Sequence, residues 1–121
     1  WSLCFYHSLS YTAAASWLYD EQVALDENRQ FTIVVSRKED RPVNARKECG
    51  VTWLEWDPKG DGIENTDGGF IAVRNMLPDP NFADNLSRVT RLGQEKEVMK
   101  EYYPISTYSS KAAFESSGCA K

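Results

Sequence analysis

Short apolar runs separated by polar turns make up the first 78 residues of the chain. Runs of β-branched and aromatic residues bounded by turn-forming residues are typical of strands. The pattern predicts five extended segments, with a kink at 20–22 in the second, at residues 1–7, 17–25, 31–36, 51–56 and 70–77. Glycine and aspartate clusters predict a long turn-rich loop at 57–69.

The spacing of apolar residues changes after residue 78. Asp79 is a suitable N-cap and Pro80 a suitable first helical residue. Phe82, Leu86 and Val89 then follow at i, i+4 and i+7, which places them on one face of a helix. We therefore expect a helix that begins at Asp79, a second helix over 94–103, and an irregular serine-rich tail over 105–121.

Five strands followed by two short helices predict a mainly β fold. The expected architecture is an antiparallel β-sandwich or rolled sheet with the two C-terminal helices closing one edge, in a single domain over residues 1–121. Because the sequence opens directly on an aromatic strand at Trp1, we expect either that an N-terminal segment is removed by processing or that this domain is the C-terminal part of a longer protein. The exposed edge of that first strand is then expected to need a partner.

Composition and charge exclude some classes of function. The chain has 121 residues, with 14 basic and 18 acidic side chains and a formal net charge of −4. Such a chain has no net attraction to phosphate backbones or anionic lipid, which argues against general nucleic-acid binding. Since no apolar run approaches the roughly 20 residues that cross a bilayer, no membrane insertion is predicted.

Four hydrophobic segments carry a resemblance to a known family. They are Trp1-Ser2-Leu3, residues 31–36, Val51-Thr52-Trp53-Leu54, and residues 70–78. In this order they resemble the strand series of the C-terminal sandwich domain in a two-domain secreted family, known as domains of unknown function twelve-fifty-four and twelve-fourteen. Glu55 stands where that family has a proline. The resemblance implies a jelly-roll-like sandwich, an extracytoplasmic location and an N-terminal partner domain, and it brings no accepted activity.

The three cysteines allow one disulfide within the chain. In an oxidising compartment we expect Cys4 to pair with Cys49, because each adjoins an extended core segment. Cys49 with Cys119 is the alternative, since that bond would fix the C-terminal tail. Free thiols in a cytosolic protein are the third interpretation. The scattered cysteines contain no Cys-x-x-Cys pair and do not predict zinc.

Oxygen ligands for a hard cation are grouped in the loop at 57–69. The calcium candidates are Asp57, Asp61, Asn65 and Asp67. However, Lys59 occupies the third-position ligand of an EF-hand-like loop, and Gly68 stands in place of its bidentate glutamate. A solvated loop is therefore favoured over a calcium site, and no other cofactor is predicted.

Aromatic side chains and one sequon complete the candidate binding residues. Trp53 and Trp56 are candidates for a flat sugar-binding platform, although they lie on opposite faces of one predicted strand. Core packing is therefore the favoured role of at least one of them. Asn85-Leu86-Ser87 matches the N-glycosylation sequon, at a position predicted to be helical.

A basic cluster and a single histidine are two further candidate chemical sites. The basic cluster at residues 37–47 is diluted by Glu39, Asp40 and Glu48, which favours a loop of ion pairs over a phosphate site. His7 is the only histidine, and no Gly-x-Ser-x-Gly elbow accompanies it. We therefore expect His7 to be a surface residue at the end of a strand.

These residues predict an extracellular or periplasmic binding or structural module rather than an enzyme. A protein partner or self-association is expected through an exposed strand edge, and a carbohydrate is a candidate ligand. The alternative is a hydrolase that acts on a glycan or an ester through acidic side chains.

Overall fold

A computed structural model describes residues 1–8 and 13–119 of the chain. Contacts divide the chain into two compact units. The first contains Trp1–Arg74 and Ser109–Lys121, and the second contains Asn75–Tyr108. Each unit is described separately below.

Five strands lie in the first unit, and all five predicted extended segments are confirmed. They are β1 (Ser2–Tyr6), β2 (Ala14–Tyr19), β3 (Thr32–Ser36), β4 (Val51–Glu55) and β5 (Phe70–Arg74). The second strand begins before Trp17 and ends at Tyr19. A 3₁₀ turn at Asp20–Gln22 stands at the predicted kink, and residues 23–25 do not continue the strand. The fold is therefore mainly β.

The first sheet is antiparallel, with strand order β2-β1-β5. Its central strand is β1, which places Cys4 opposite both Trp17 and Ala72. The prediction that the first strand leaves an open edge is wrong, because β1 pairs along both sides. The outer strands of this sheet are β2 and β5.

The second sheet joins β3 and β4 in parallel, from Thr32 opposite Val51 to Ser36 opposite Glu55. This pairing departs from the purely antiparallel arrangement that the sequence predicts. Parallel neighbours need a crossover of about a dozen residues or more. Residues 37–50 supply that crossover as an irregular loop with a 3₁₀ turn at Lys47–Cys49.

Two groups of side chains form the interior of the first unit. Phe5 is fully buried and its ring centroid lies 4.4 Å from that of Trp56. Gly69 permits this packing, because a Cβ atom there would lie 2.6 Å from the Phe5 ring at a φ of +147°. The other group is centred on Ala45, Cys49 and Val51, with Val34, Trp53 and Phe114 packed against it.

The second unit contains one short α-helix, α1 (Glu95–Met99). The helix predicted from Asp79 is wrong: only a 3₁₀ turn at Leu86–Arg88 forms, because the Asn85 side chain accepts the Ser87 N–H and competes with helical bonding. The predicted helix at 94–103 is confirmed in part. It breaks at Lys100, whose φ is +49°, and continues as a 3₁₀ turn to Tyr102.

A second α-helix, α2 (Lys111–Ser116), belongs to the first unit and corrects the prediction of an irregular tail. The Ser110 hydroxyl caps it by accepting the Ala113 N–H at 3.2 Å. Among the described residues, no helix has the length and apolar character needed to cross a membrane.

Candidate functional site

The disulfide joins Cys49 to Cys119, whose Cα atoms are 4.5 Å apart. Of the two pairings considered from the sequence, the preferred one, Cys4 with Cys49, is wrong and the alternative is present. Cys4 is a free thiol in the middle of the first sheet. Cys49 instead lies in the apolar cluster that includes Phe114 of α2, five residues before Cys119.

The predicted calcium ligands direct their oxygens at the protein rather than at a shared centre. Asp61 Oδ1 accepts the backbone N–H groups of residues 63, 64 and 65 at 2.9, 3.1 and 3.1 Å. Asn65 Oδ1 accepts the N–H of Asp67, and Asp67 pairs with Arg37. In the part of the chain that is described, no three His, Cys, Asp or Glu side chains are grouped to hold a metal ion. The loop at 57–69 is therefore held by its own hydrogen bonds.

The remaining calcium candidate, Asp57, contacts His7 instead. Its Oδ2 atom lies 3.4 Å from His7 Nε2, and its Oδ1 atom accepts the Lys59 N–H at 2.7 Å. The Lys59 N–H is the main cause of a lowered Asp57 pKa, burial opposes it, and His7 lowers it further. The His7 side chain is only 13% exposed, so the prediction of a surface histidine is wrong.

The two candidate sugar-binding tryptophans are engaged by different neighbours. Trp53 Nε1 donates to Ser36 Oγ at 2.9 Å, and the Arg41 guanidinium lies 4.7 Å from its ring centroid. Trp56 packs on Phe5 and donates to the Thr66 carbonyl at 3.1 Å. Both rings are half-buried and they form no shared flat platform.

The predicted glycosylation residue is buried. Asn85 is 2% exposed, and its Oδ1 atom accepts the Ser87 N–H at 2.6 Å. A glycan on this side chain would require the turn at Leu86–Arg88 to open. The folded chain therefore does not present Asn85 as an acceptor, in contrast to the sequence prediction.

The basic cluster at 37–47 differs from the predicted loop of ion pairs. Arg37 contacts Asp67, but no other described carboxylate lies within ion-pair distance of Lys38, Arg41, Arg46 or Lys47. The acidic neighbours in sequence, Glu39, Asp40 and Glu48, therefore form no direct ion pair with these four side chains.

Three of these cations line one surface cavity of about 270 Å³. They are Arg41, Arg46 and Lys47. The described residues around the cavity also include apolar side chains from Leu18, Val51 and Trp53 and polar side chains from Gln22 and Thr52, but no carboxylate. We call this cavity the basic pocket. Low-dielectric walls beside like charges strengthen the field that an anion meets there.

Arg41 is held in position before any ligand arrives. Its Nε and Nη2 atoms both donate to the Ala45 carbonyl, at 3.2 and 2.8 Å. Its guanidinium also lies over the Trp53 ring, a cation–π geometry. Two constraints of this kind reduce the rotamer freedom that an arginine would otherwise lose on binding.

Arg46 and Lys47 are placed by the turn that leads into β4. Arg46 precedes the 3₁₀ turn at Lys47–Cys49, and its Nε atom contacts Cys49 Sγ at 3.4 Å. Gly50 ends the turn at a φ of +68°, in the left-handed region that favours glycine. The turn therefore holds both cations next to the buried Val51 at the start of β4.

A second cavity, of about 350 Å³, lies on the other side of Lys47. Its lining includes Asp26, Glu27 and Glu48 as well as Lys47 and the exposed end of the disulfide at Cys119. Asp26 Oδ1 already accepts the N–H groups of residues 28 and 30, both at 2.8 Å. This cavity has mixed charge and lacks the one-sign lining of the basic pocket.

The sequence contains part of the signal for the basic pocket. The density of arginine and lysine between 37 and 47 is visible in the sequence. Whether each of these side chains forms an ion pair depends on which carboxylates the fold brings near it. Leu18 lies on β2 and Gln22 in the 3₁₀ turn that follows it, and nothing in their local sequence marks them as part of the pocket. Comparison of the chain with protein-family models, with curated proteins and with solved structures finds no match. The family resemblance therefore stays a prediction.

Proposed function

We propose that this chain is a noncatalytic binding module of an extracytoplasmic protein, and that its ligand presents a negatively charged group to the basic pocket. The observation that carries the proposal is the convergence of Arg41, Arg46 and Lys47 on one cavity whose described lining has no carboxylate. Like charges placed together do not stabilise a fold. A bound anion supplies the missing counter-charge.

The preorganised Arg41 gives this proposal a second support. An arginine fixed by a carbonyl and an aromatic ring keeps its outer N–H groups aligned for a bidentate contact with an oxyanion. A purely structural arginine would gain more from a carboxylate partner than from open water. In this fold, Arg41 has no carboxylate partner among the described residues and lines a cavity.

The extracytoplasmic location belongs to the same proposal. A disulfide that closes a long chain segment is typical of proteins that mature in an oxidising compartment. We also propose that the two sheets stack as a sandwich of the jelly-roll type. The support is local: Ser16 Oγ on β2 donates to the Glu55 carbonyl on β4 at 2.9 Å, and the Ala24 N–H donates to Thr52 Oγ1 at 2.8 Å.

A hydrolase that uses acidic residues of the loop at 57–69 is the competing proposal. Such an enzyme needs two carboxyl groups that face each other across a cleft. Asp61 Oδ1 and Asp57 Oδ1 instead accept backbone N–H groups of the loop, and Asp57 Oδ2 lies against His7. These bonds favour the binding module over the hydrolase.

Docking to a partner domain is the second part of the proposal. Strand β5 is an outer strand of the first sheet, and Ile71 and Val73 on it are 43% and 41% exposed. We propose that an extended segment of a partner domain adds to this edge. Sedimentation of the isolated chain tests the idea: a soluble monomer over a wide concentration range contradicts an obligatory partner, and a dimer identifies a second copy as the occupant.

NMR titration tests the binding function. The chain is titrated with acetate, methyl phosphate and methyl sulfate at constant ionic strength, and the Trp53 indole N–H serves as the reporter because Trp53 lines the pocket. At least one anion is expected to shift this resonance saturably. Arg41→Gln and Arg46→Gln should weaken the effect, whereas Lys38→Gln, the same charge change in the same loop, should not.

Two results would contradict the proposed function. One is the absence of a saturable shift with all three anions. The other is an equal loss of binding in Arg41→Gln and Lys38→Gln, which would assign the effect to net charge rather than to the pocket. Circular dichroism of each variant confirms that the fold persists.

A further inference from the structure

We infer that the basic pocket selects a tetrahedral oxyanion ester, the terminal phosphate or sulfate of a larger molecule, over a planar carboxylate. This inference rests on the proposed function and deepens it by naming the chemical class of the ligand. It follows from the number of N–H donors that have no protein partner, from the edge of each guanidinium on which those donors lie, and from the volume of the cavity.

The free donors of the pocket outnumber the acceptor sites of a carboxylate. Arg41 has five N–H groups, two of which bond the Ala45 carbonyl. Arg46 has one of its five directed at Cys49 Sγ. With the three ammonium hydrogens of Lys47, about ten donors remain around the cavity, against about four acceptor sites on a carboxylate. A phosphate ester offers three terminal oxygens and a charge near −2.

The positions of the unoccupied N–H groups also favour a tetrahedral oxyanion. In both arginines the Nε side is occupied, by a carbonyl for Arg41 and by a sulfur for Arg46. Each guanidinium therefore offers its outer edge, which binds two oxygens of one oxyanion side by side. Two such edges and a separate ammonium group come from three chain positions around one cavity. A group with three terminal oxygens arranged pyramidally around one atom can meet all three, whereas a carboxylate has only two oxygens.

The remaining room indicates an ester rather than a free ion. At about 270 Å³ the cavity approaches the roughly 300–1,000 Å³ of small-molecule pockets, which is more room than a free oxyanion fills. Beside the cations, the wall is apolar at Leu18 and Val51 and carries the amide of Gln22. These side chains suit the first carbon atoms and a hydroxyl group of the molecule that bears the oxyanion.

Calorimetric titration of the full chain at constant ionic strength and pH 7.5 tests the inference with methyl phosphate, methyl sulfate and acetate. At least one of the two esters is expected to bind about tenfold more tightly than acetate, because hydrogen bonds to charged groups contribute about 1.5 kcal/mol or more each. Arg41→Gln and Arg46→Gln should each weaken that ester by about tenfold. Arg41→Lys keeps the charge but loses the paired N–H donors of the guanidinium, so it should also weaken ester binding. Lys38→Gln should leave ester binding unchanged.

The two esters distinguish the source of the oxyanion. Because a phosphate ester has a second pKa near 6, methyl phosphate affinity should fall between pH 7.5 and pH 5.5, while methyl sulfate affinity should not. Tighter binding of methyl phosphate at pH 7.5 assigns a phosphate ester, and tighter binding of methyl sulfate assigns a sulfate ester. Equal affinities assign the shared tetrahedral chemistry alone.

The failure of this inference and that of the proposed function give different results. Acetate that binds as tightly as both esters, and is weakened by Arg41→Gln, overturns the tetrahedral assignment and leaves the anion-binding module intact. No binding of any of the three anions overturns both. An ester whose affinity is unchanged by both Arg41→Gln and Arg46→Gln binds elsewhere and overturns the assignment of the pocket.

Discussion

Removal of the Cys49–Cys119 disulfide by Cys119→Ser is expected to cost a large part of the stability of the first unit. The bond closes a loop with a sequence separation of 70 residues. Loop-closure entropy for that length corresponds to about 4 kcal/mol at 25 °C. Serine at the exposed position 119 adds no steric or burial penalty, so the loss of the cross-link dominates. A loss of this size is a large fraction of the roughly 5–15 kcal/mol by which domains are stable.

Urea unfolding of the wild type and the variant, followed by far-UV circular dichroism, measures the difference. The midpoint should fall strongly, and reduction of the wild type should lower it to the same value. Cys4→Ser is the matched control, because Cys4 is a free thiol and its loss should change the free energy of unfolding by less than about 1 kcal/mol. A change below about 1 kcal/mol for Cys119→Ser would refute the reasoning, since noncovalent contacts would then hold α2 without the bond.

Two further predictions concern polar side chains that satisfy backbone groups. Backbone N–H groups, that of Ile63 first, hold the pKa of Asp61 below its usual value of about 4. The contribution of Asp61 to stability is therefore full above that value and is lost as the pH falls through the lowered pKa. Asp61→Asn should flatten the acid limb of a urea-midpoint profile measured from pH 5 to pH 2, and an unchanged profile would contradict this. Asn85→Ala should destabilise the turn at Leu86–Arg88 by about 1–2 kcal/mol, because it removes the Oδ1 acceptor of the Ser87 N–H. Secretion of the wild type from a glycosylating host should give Asn85 without a glycan. A fully occupied sequon by mass spectrometry would refute the burial of Asn85 in the native fold.

Local sequence signals were enough to find the strands but not to pair them. Residues 31–36 are almost all β-branched or aromatic, and that signal needs no tertiary contact to be recognised. The parallel pairing of β3 with β4, and the central position of β1, depend on contacts between segments that lie far apart in sequence. Such contacts leave no trace in local periodicity.

The helix errors have a local physical cause. After Asp79, the apolar spacing suits a helix, but Asn85 offers its side chain to the Ser87 N–H and favours a turn. At the C-terminus, the serine-rich composition predicts an irregular tail rather than α2. This helix depends on Ser110 as its cap and on the packing of Phe114 against the Ala45 cluster. Short helices of this kind depend on tertiary packing more than on propensity.

At the candidate site, too, local composition identifies the segment, but tertiary contacts decide which side chains meet. Charge density marked the segment at 37–47, yet the expected ion pairs fail because the nearby acidic residues do not approach Arg41, Arg46 or Lys47 within ion-pair distance in the described structure. The preferred disulfide failed for a related reason. That each cysteine adjoins a predicted strand does not show that the two lie close together. The fold puts Cys4 at the centre of the antiparallel sheet and Cys49 in the 3₁₀ turn before β4.

The disulfide and the basic pocket are linked by one short stretch of chain, residues 41–49. On one side, α2 is fixed to this stretch by the Cys49–Cys119 bond, by the Val43 N–H bonded to Glu115, and by the Asn44 amide, which donates to the carbonyls of Phe114 and Gly118. On the other side, the Ala45 carbonyl and Cys49 Sγ hold the arginines of the pocket. Cys49 takes part in both sets of contacts, and Val43, Asn44 and Ala45 follow one another in the chain. The contacts that fix α2 and those that hold the two arginines are therefore made by one short segment, so a change in the packing of α2 is transmitted directly to the residues that line the pocket.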